Sequence, residues 1–500
     1  MKTRFVAPAI TLTWLAFTPF AAFANGGVST DSCVGCHVTE TPAIVSQWQD
    51  SKHNRVGVKC YDCHRAMDDD PAGFEHQGVR VTPLVTPKYC AGCHPKQARE
   101  FKESLHDEAG LFSLSSYAIQ GEADIRDGVT YGKTGNYKAN HSRESAEAGC
   151  LDCHGTVIQV GKDGTLINWP NMGIGRFNPD GSVGSCAACH TRHVFSIAQA
   201  RKPETCGNCH LGPDHPQREI YEESKHGNLV AANGESYNWS APPGQWGPED
   251  AEAPTCAVCH MSGFGGIIES THNVSARLKW ELEPVFSWPT DQKYQAGREE
   301  YPIDPAIAKR YETIHNLPAG SLKSVPTGGP NPFAEAEKFS PEVYAAYVGP
   351  GKWWEKGETR LDAFGGDALR TPYEKREDML YICSNCHVRS WAEGDLKKAD
   401  AVIDVYNAVS LAIKVKFYDP IKKEKLDEGI KFNGQSAVDN LWHETWHHEG
   451  RIWRMGGFMQ GQDWQHWEGS YKVAVDGARL ADWYEKLKIR KAVKEKLGLE

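Results

Sequence analysis

The motif Cys-x-x-Cys-His occurs eight times in this 500-residue chain and takes up all 16 of its cysteines. Such a motif is the attachment signature of c-type haem, in which both thiols bond the porphyrin and the histidine is the proximal iron ligand. Zinc ribbons, disulfides and thiol redox pairs do not require a histidine after every cysteine pair. The sequence therefore predicts eight c-type haems and a redox function. The cysteine pairs are Cys33/Cys36, Cys60/Cys63, Cys90/Cys93, Cys150/Cys153, Cys186/Cys189, Cys206/Cys209, Cys256/Cys259 and Cys383/Cys386, and the histidines are His37, His64, His94, His154, His190, His210, His260 and His387.

The density of these motifs constrains the fold. The first cysteines of successive motifs lie as little as 20 residues apart, from Cys186 to Cys206, and 127 residues apart at most, from Cys256 to Cys383. Haems attached so closely must stack near one another, and each is a large apolar body that displaces an ordinary side-chain core. We therefore predict a mainly α fold, a multihaem cytochrome c with a stacked octahaem core, much coil and a long-helix C-terminal region.

The N-terminal residues are typical of a secretory signal peptide. Lys2 and Arg4 precede an apolar run over residues 5–20. The small residues Ala22 and Ala24 suit cleavage by signal peptidase after Ala24. We predict a signal peptide over residues 1–24 and a periplasmic mature protein; the alternative is a retained membrane anchor. No other segment approaches the length of about 20 apolar residues that a membrane span needs.

Three regions follow from the motif spacing. We predict a signal peptide (1–24), an octahaem cytochrome c domain (25–397) that contains a long insert (261–382), and a C-terminal helical region (398–500). The formal net charge of −10 comes without a basic stripe, so nucleic acid is not an expected partner.

Helical periodicity marks the C-terminal region. Val402, Val405, Val409 and Ile413 recur at helical spacing. We expect Pro420 to interrupt this helix, a second helix over 436–453 that ends at Gly456-Gly457, and a third from Trp464 to Gly477 or beyond. The best strand candidates are Val79 to Leu84 and Thr156 to Val160.

Thirteen histidines lie outside the motifs, and some of them must supply the second axial ligand of low-spin haems. If all eight haems have two histidine ligands, eight of these thirteen histidines are needed. If one haem keeps an open position for substrate, seven are needed. The number of histidines therefore does not show whether one haem is open. Four of them share a Ser-x-His pattern at Ser51, Ser104, Ser224 and Ser270, which suggests a recurring ligand helix. The predicted distal ligands are His53, His106, His193, His226 and His272, with His315, His443, His447 and His448 as the remaining candidates.

Asp214 and His215 stand apart from the other candidates. They lie in a Pro-flanked segment just after the sixth motif, where a rigid loop is expected. A carboxylate beside an imidazole can donate and accept protons. The alternative is a turn aspartate that caps a helix beginning near Gln217.

The chain resembles the octahaem hydroxylamine oxidoreductase family. The resemblance rests on the eight motifs and their spacing, on Gly212-Pro213-Asp214-His215-Pro216, and on the Trp-His-x-x-x-His-His-Glu-Gly segment from Trp442. It implies that the fourth haem, at Cys150 and Cys153 with His154, is catalytic and open, and that Asp214 and His215 line its pocket. It also implies a pocket tyrosine, which Tyr301 or Tyr311 could match, and a homotrimer. The expected redox partner is a small cytochrome c or a membrane quinol-linked cytochrome.

The direction of catalysis depends on one tyrosine. Hydroxylamine-oxidising members of the family link a C-terminal tyrosine to the catalytic haem of a neighbouring subunit, but here Trp464 stands at the expected place and Tyr471 is the nearest alternative. Members that lack the link resemble reductases, so reduction of nitrite or hydroxylamine is slightly favoured. Oxidation of hydroxylamine or hydrazine, and a non-catalytic electron conduit, are the alternatives. Octahaem tetrathionate and nitrite reductases resemble the chain less, because they carry a lysine in place of one proximal histidine and no Cys-x-x-Cys-Lys motif occurs here.

Overall fold

The structure is a computed structural model that describes residues 30–113, 149–289, 300–326, 371–428, 431–432 and 435–499. The predicted signal peptide and much of the predicted insert lie outside these residues. The described chain is mainly α with short strands and much irregular backbone, which confirms the predicted fold class. None of the helices in the described part is long and apolar enough to cross a membrane.

The first half of the chain consists of short helices joined by loops. Several of them coincide with Cys-x-x-Cys-His motifs, because one helical turn brings residues three and four apart to the same side. Helices Cys60–His64, Cys150–His154 and Cys256–His260 each span one motif. The other helices before residue 290 are Thr30–Glu40, Pro42–Asp50, Lys52–Arg55, Pro87–Ala91, Pro95–Lys102, Leu105–Ser113, Ile197–Arg201, Pro203–Gly207, Gln217–Glu223 and Lys225–Asn233, with 3-10 turns at Cys186–Ala188 and Gly234–Ser236.

The strands form two-stranded antiparallel ribbons. They pair Phe74–His76 with Val79–Val81, Trp280–Glu281 with Trp288–Pro289, Glu300–Pro302 with Ser324–Pro326, and Lys431–Phe432 with Gln435–Ser436. The predicted strand from Val79 is thus present but short. The predicted strand from Thr156 to Val160 does not form: Val157 and Val160 make only isolated β-bridges with Phe177 and Leu166. Side-chain amides of Asn168 and Asn171 also bond the backbone of Thr156 and Val157.

Long helices dominate after residue 371. Pro372–Cys383 is followed by Arg389–Ile413, which covers the predicted helical periodicity and crosses the predicted domain boundary at 397. The remaining helices are Pro305–Ile314 in the insert and Asp419–Lys423, Ala437–His443, Gly450–Phe458 and Tyr471–Leu497 at the C-terminus, with π-helical segments at Lys414–Tyr418, Glu444–Glu449 and Trp464–Ser470.

Two predicted helix ends are wrong. The chain stays helical across Pro420, which directly follows the π-helical segment Lys414–Tyr418, a local widening of the kind at which helices accommodate a proline. The helix also continues through Gly456-Gly457 to Phe458. A Cβ on Gly456 would lie 2.8 Å from the backbone nitrogen of Gln465, and one on Gly457 would lie 2.9 Å from a methyl group of Val402. These glycines therefore permit close helix packing.

Buried apolar side chains hold the C-terminal helices together. Tyr406, Trp442, Trp453 and Leu480 belong to one cluster that joins four of these helices. A second cluster packs Ile303, Leu322 and Val325 of the insert against Ala408 and Leu411. Residues 303–325 of the insert thus pack on the Arg389–Ile413 helix.

Candidate functional site

The motif cysteines approach one another in a continuous order. Numbering the motifs one to eight along the chain, side chains of consecutive motifs interact from one to three: Cys33 with Cys60, and Cys63 with Cys90. Cys90 of motif three then contacts Cys186 of motif five, and Cys189 interacts with Cys206 of motif six.

Motif six is a branch point. Its Cys206 contacts Cys256 of motif seven, and Cys259 interacts with Cys383 of motif eight. Its other cysteine, Cys209, contacts Cys153 of motif four. Motif four therefore lies beside motif six, off the line that joins the other motifs.

Cys36, Cys93 and Cys386, the second cysteines of motifs one, three and eight, are exposed. Haem attachment at these three thiols stays a prediction.

The motif histidines face second histidines at one recurrent spacing. Two imidazoles that bind opposite sides of one metal ion, with metal–nitrogen distances of about 2.0 Å, have ring centroids about 6 Å apart. The observed centroid distances are 6.2 Å for His37 with His76, 6.2 Å for His64 with His193, 6.3 Å for His94 with His53, 6.4 Å for His190 with His272, 6.1 Å for His210 with His106 and 6.2 Å for His387 with His226. These residues fit two-histidine ligation of haem iron.

The orientation of the motif histidines also fits haem. The Nδ1 atom of His64 lies 2.8 Å from the carbonyl oxygen of Thr82, and that of His154 lies 3.3 Å from the carbonyl oxygen of Ala109. The Nδ1 atom of His37 lies 2.9 Å from the hydroxyl of Thr41. A protein acceptor on Nδ1 fixes the ring and leaves Nε2 for iron.

Three of the four Ser-x-His segments begin a helix. Ser51 accepts a hydrogen bond from the backbone of Asn54, and Ser224 accepts one from Gly227, so both are N-caps. The helix Leu105–Ser113 follows Ser104 directly. The helix predicted for the fourth segment, after Ser270, is wrong, because His272 lies in an irregular segment. His272 nevertheless faces His190 as the other three histidines face their partners.

The structure separates the remaining histidine candidates. His76, which the sequence analysis passed over, faces His37 from a short hairpin that has no Ser-x-His pattern. His315 stacks on Tyr311, with centroids 5.9 Å apart. His443, His447 and His448 gather around one another.

Asp214 and His215 lie near motif four. The charges of His215 and Asp214 both act on His154, and burial together with His215 lowers the pKa of His154. His215 also lies 6.1 Å from His210, the same centroid distance that His106 has. The side chain of Asp214 does not cap the helix Gln217–Glu223, whose N-cap is Pro216. The structure thus favours the carboxylate–imidazole pair over the capping aspartate.

Two C-terminal side chains hold Asp214. Oδ1 of Asp214 lies 2.8 Å from Nδ1 of His447 and 2.6 Å from Nη1 of Arg451. Burial alone would raise the pKa of Asp214, but the contact with His447 and the charge of Arg451 outweigh it and hold this pKa below its usual value. Asp214 is therefore a carboxylate at neutral pH. Nε2 of His215 lies 3.7 Å from its other oxygen.

The helix Gly450–Phe458 carries the arginine that completes this arrangement. Arg451 is almost fully buried; it also contacts the carboxylate of Glu283 at 3.0 Å and donates to the Glu283 carbonyl. Arg454 donates to the carbonyl of Pro284 and to the hydroxyl of Ser287. These bonds fix the segment around Glu283 against the helix, so that segments distant in sequence converge on Asp214.

The tyrosine candidates occupy other contacts. Tyr301 packs edge-on against Trp280, with centroids 5.5 Å apart, and Tyr311 stacks on His315. Trp464 begins the π-helical segment Trp464–Ser470, and Tyr471, which is 53% exposed, packs on Trp467. A role for any of these residues at the fourth haem stays a prediction.

Models of two haem-protein families match this chain. Residues 181–300 match a family described as seven times multi-haem cytochrome CxxCH, and residues 136–211 match cytochrome c7 and related cytochrome c. With the histidine pairs, these matches define the chain as a multihaem c-type cytochrome with covalently bound haem and a role in electron transport.

Similar proteins indicate which kind of multihaem cytochrome the chain resembles. A probable nitrite reductase-hydroxylamine oxidoreductase fusion protein of Kuenenia stuttgartiensis is 28% identical over 323 residues, which cover 56% of this chain and 31% of that protein. The chain thus spans about a third of the curated relative that it matches. A solved hypothetical multiheme protein is 28% identical with a TM-score of 0.68 and covers 93% of this chain and 97% of its own.

A second solved structure agrees in fold. The Kuenenia stuttgartiensis reducing HAO-like protein complex has a TM-score of 0.57 at 20% identity and covers 94% of this chain and 87% of its own. The chain is thus similar to multihaem proteins that are like hydroxylamine oxidoreductase.

Proposed function

We propose that the protein is a periplasmic octahaem oxidoreductase that interconverts nitrite, nitric oxide and hydroxylamine, with reduction as the favoured direction. The observation that carries this proposal is the convergence of Asp214, His215, His447 and Arg451 beside motif four. A purely conductive cytochrome needs iron ligands, but it has no need for a buried carboxylate, imidazole and guanidinium beside one motif.

Haem ligation follows from the histidine pairs. In this proposal each of the eight motifs holds one haem, and His76, His193, His53, His272, His106 and His226 are the distal ligands at motifs one, two, three, five, six and eight. His106 is assigned to motif six in preference to His215, because His215 contacts Asp214. The haem that Cys150, Cys153 and His154 would hold is the catalytic one, and when bound it would supply a redox-active iron centre for the nitrogen substrate.

The side chains around Asp214 supply protons. Reduction of nitrite to nitric oxide takes up one electron and two protons and releases water, so the site needs a proton donor that takes up protons again from solvent. His215 donates from its ring nitrogen, and the Asp214 carboxylate, 3.7 Å from Nε2, stabilises the protonated ring. Arg451 keeps Asp214 ionised and adds positive charge near an anionic substrate.

The order of the motif cysteines suggests the electron route. Haems held at motifs one, two, three, five, six, seven and eight would form one conducting line, and the Cys153–Cys209 contact would join a haem at motif four to that line at motif six. We also propose a redox partner protein, a small cytochrome c or a membrane quinol-linked cytochrome, and a homotrimeric assembly; these rest on the family resemblance.

The deciding experiment combines denaturing mass spectrometry of the holoprotein with dye-linked assays of nitrite and hydroxylamine. We expect one chain carrying eight haems, no covalent subunit link and nitrite reduction by a reduced viologen. A covalently linked trimer that oxidises hydroxylamine would reverse the direction. A holoprotein whose spectrum does not change with nitrite, hydroxylamine or cyanide would instead show an electron conduit and overturn the proposal.

A further inference from the structure

We propose that His443, His447 and His448 form a binding site for a divalent first-row transition-metal ion such as Zn²⁺, separate from the haem irons. One nitrogen from each of the three imidazoles lies within 4.8 Å of the nitrogens of the other two. The rings of His443 and His447 are stacked, with centroids 4.2 Å apart, and the ring of His448 lies 5.3 Å from that of His447.

The local helix geometry brings these three histidines together. In an α-helix, residues five apart point about 140° away from one another, so His443 and His448 would diverge. Here Glu444–Glu449 is π-helical, and the wider turn places residues four and five apart on one side. Such π segments are rare and often occur at functional sites.

Asp214 orients one of the ligands. Its Oδ1 atom lies 2.8 Å from Nδ1 of His447, so a carboxylate stands at that nitrogen and Nε2 is the atom left for a metal ion. A carboxylate behind a metal-bound imidazole is the usual second contact of histidine ligands, and it raises their basicity. This contact is independent of the clustering of the rings, and it points to the same ligand.

The surrounding charges permit a cation. Arg451 is the nearby positive group, and both Asp214 and Glu283 compensate its charge. The charge of Glu444 also acts on His448. His443 and His447 are 6% and 4% exposed, so the cluster lies in the interior, where neutral imidazoles suit Zn²⁺ or Cu²⁺ better than Mg²⁺ or Ca²⁺.

The geometry requires a small adjustment. A tetrahedral ion with metal–nitrogen distances of about 2.0–2.1 Å places its ligand nitrogens about 3.4 Å apart. Side-chain rotations that move each ligand nitrogen by about 1 Å would bring the three nitrogens to this spacing. Three protein ligands leave a fourth position on the ion for water. The site then differs from the two-histidine haem sites, whose rings lie on opposite sides of the metal.

The test is zinc binding by the intact holoprotein. After dialysis against a chelator, the protein is titrated with Zn²⁺ in a calorimeter, and zinc and haem iron are counted together by mass spectrometry. We expect one tightly bound zinc per chain. X-ray absorption at the zinc edge should show three imidazole nitrogens at about 2.0 Å.

Variants locate the site. His448→Ala should weaken zinc binding on the order of 100-fold or more, and Asp214→Asn, which keeps all three imidazoles, about 10–100-fold. His466→Ala, a histidine of the same region outside the cluster, is the matched control and should bind zinc as the unaltered protein does. Haem content and the optical spectrum check that each variant is folded.

Several outcomes would overturn this inference. Zinc that does not bind in a one-to-one ratio, or that binds equally to His448→Ala, would show an adventitious ion only. Loss of a low-spin haem signal in His448→Ala would show that this histidine ligates haem iron instead. None of these results bears on nitrite reduction, which is measured separately with the zinc-free protein.

Discussion

Replacing Gly456 by alanine tests the packing that brings the C-terminal helices together. The added Cβ would lie 2.8 Å from the backbone nitrogen and 2.9 Å from the Cα of Gln465, whereas ordinary contacts begin at 3.4 Å. The two helical segments must therefore separate by about 0.5 Å, and both obstructing atoms belong to backbone that cannot rotate away. Overpacking of this kind costs about 1–3 kcal/mol, which exceeds the gain of up to about 1 kcal/mol in helix propensity.

Gly394→Ala is the matched control. Gly394 lies inside the helix Arg389–Ile413, and a Cβ there would meet nothing within 4 Å. Alanine should stabilise the protein by about 0.5–1 kcal/mol at this position. The two holoproteins are compared by guanidinium-induced unfolding, followed by circular dichroism. Equal midpoints for the two variants, or a Gly456→Ala midpoint above that of the unaltered protein, would refute the packing argument.

Three further predictions concern the haems, the site and the pH dependence. His76→Ala should turn one low-spin haem into a high-spin one in the electron paramagnetic resonance spectrum, while His315→Ala should leave the spectrum unchanged; the reverse result would show that the ring pairs are not iron ligands. Asp214→Asn and His215→Gln should each slow nitrite reduction about 10²–10⁴-fold without loss of haem, whereas the exposed Asp482→Asn should have no effect. Burial, Asp400 and Asp304 raise the pKa of Asp404 from 3.8 to about 6. The folded protein therefore binds this proton more tightly than the unfolded chain. Stability on the order of 2 kcal/mol is present below about pH 4 and is lost as the pH rises through about 6, and Asp404→Asn should remove that part of the pH dependence.

Local chemistry explains what the sequence could predict. The haem motifs and the helix over Val402 to Ile413 depend on short spacings. The family models agree with the haem motifs, and the structure contains the helix. The N-caps at Ser51 and Ser224 are local as well. Asp214 is a candidate from sequence because its carboxylate stands beside an imidazole within one loop.

The missed features depend on contacts between distant residues. His76 carries no sequence signal, because its position opposite His37 is set by a hairpin and not by a helix start. Gly456 looked like a helix end, since its role depends on how closely the segment around Gln465 approaches. His447 was predicted as a haem ligand, and its contact with Asp214 spans more than 200 residues of sequence.

The C-terminal region contributes side chains to the candidate site, although it is far from Asp214 in sequence. The motif cysteines alone would give a chain of haems with motif four attached at motif six. The groups that can move protons or bind a further metal ion there come from the π-helical segment Glu444–Glu449 and the helix after it. Arg451 and Arg454 fix this helix to the segment around Glu283, so the same side chains that stabilise the interface also hold Asp214 ionised. Truncating the C-terminal helices should therefore remove reactivity at motif four before it removes the two-histidine haems of motifs one to three, whose ligands all lie before residue 194.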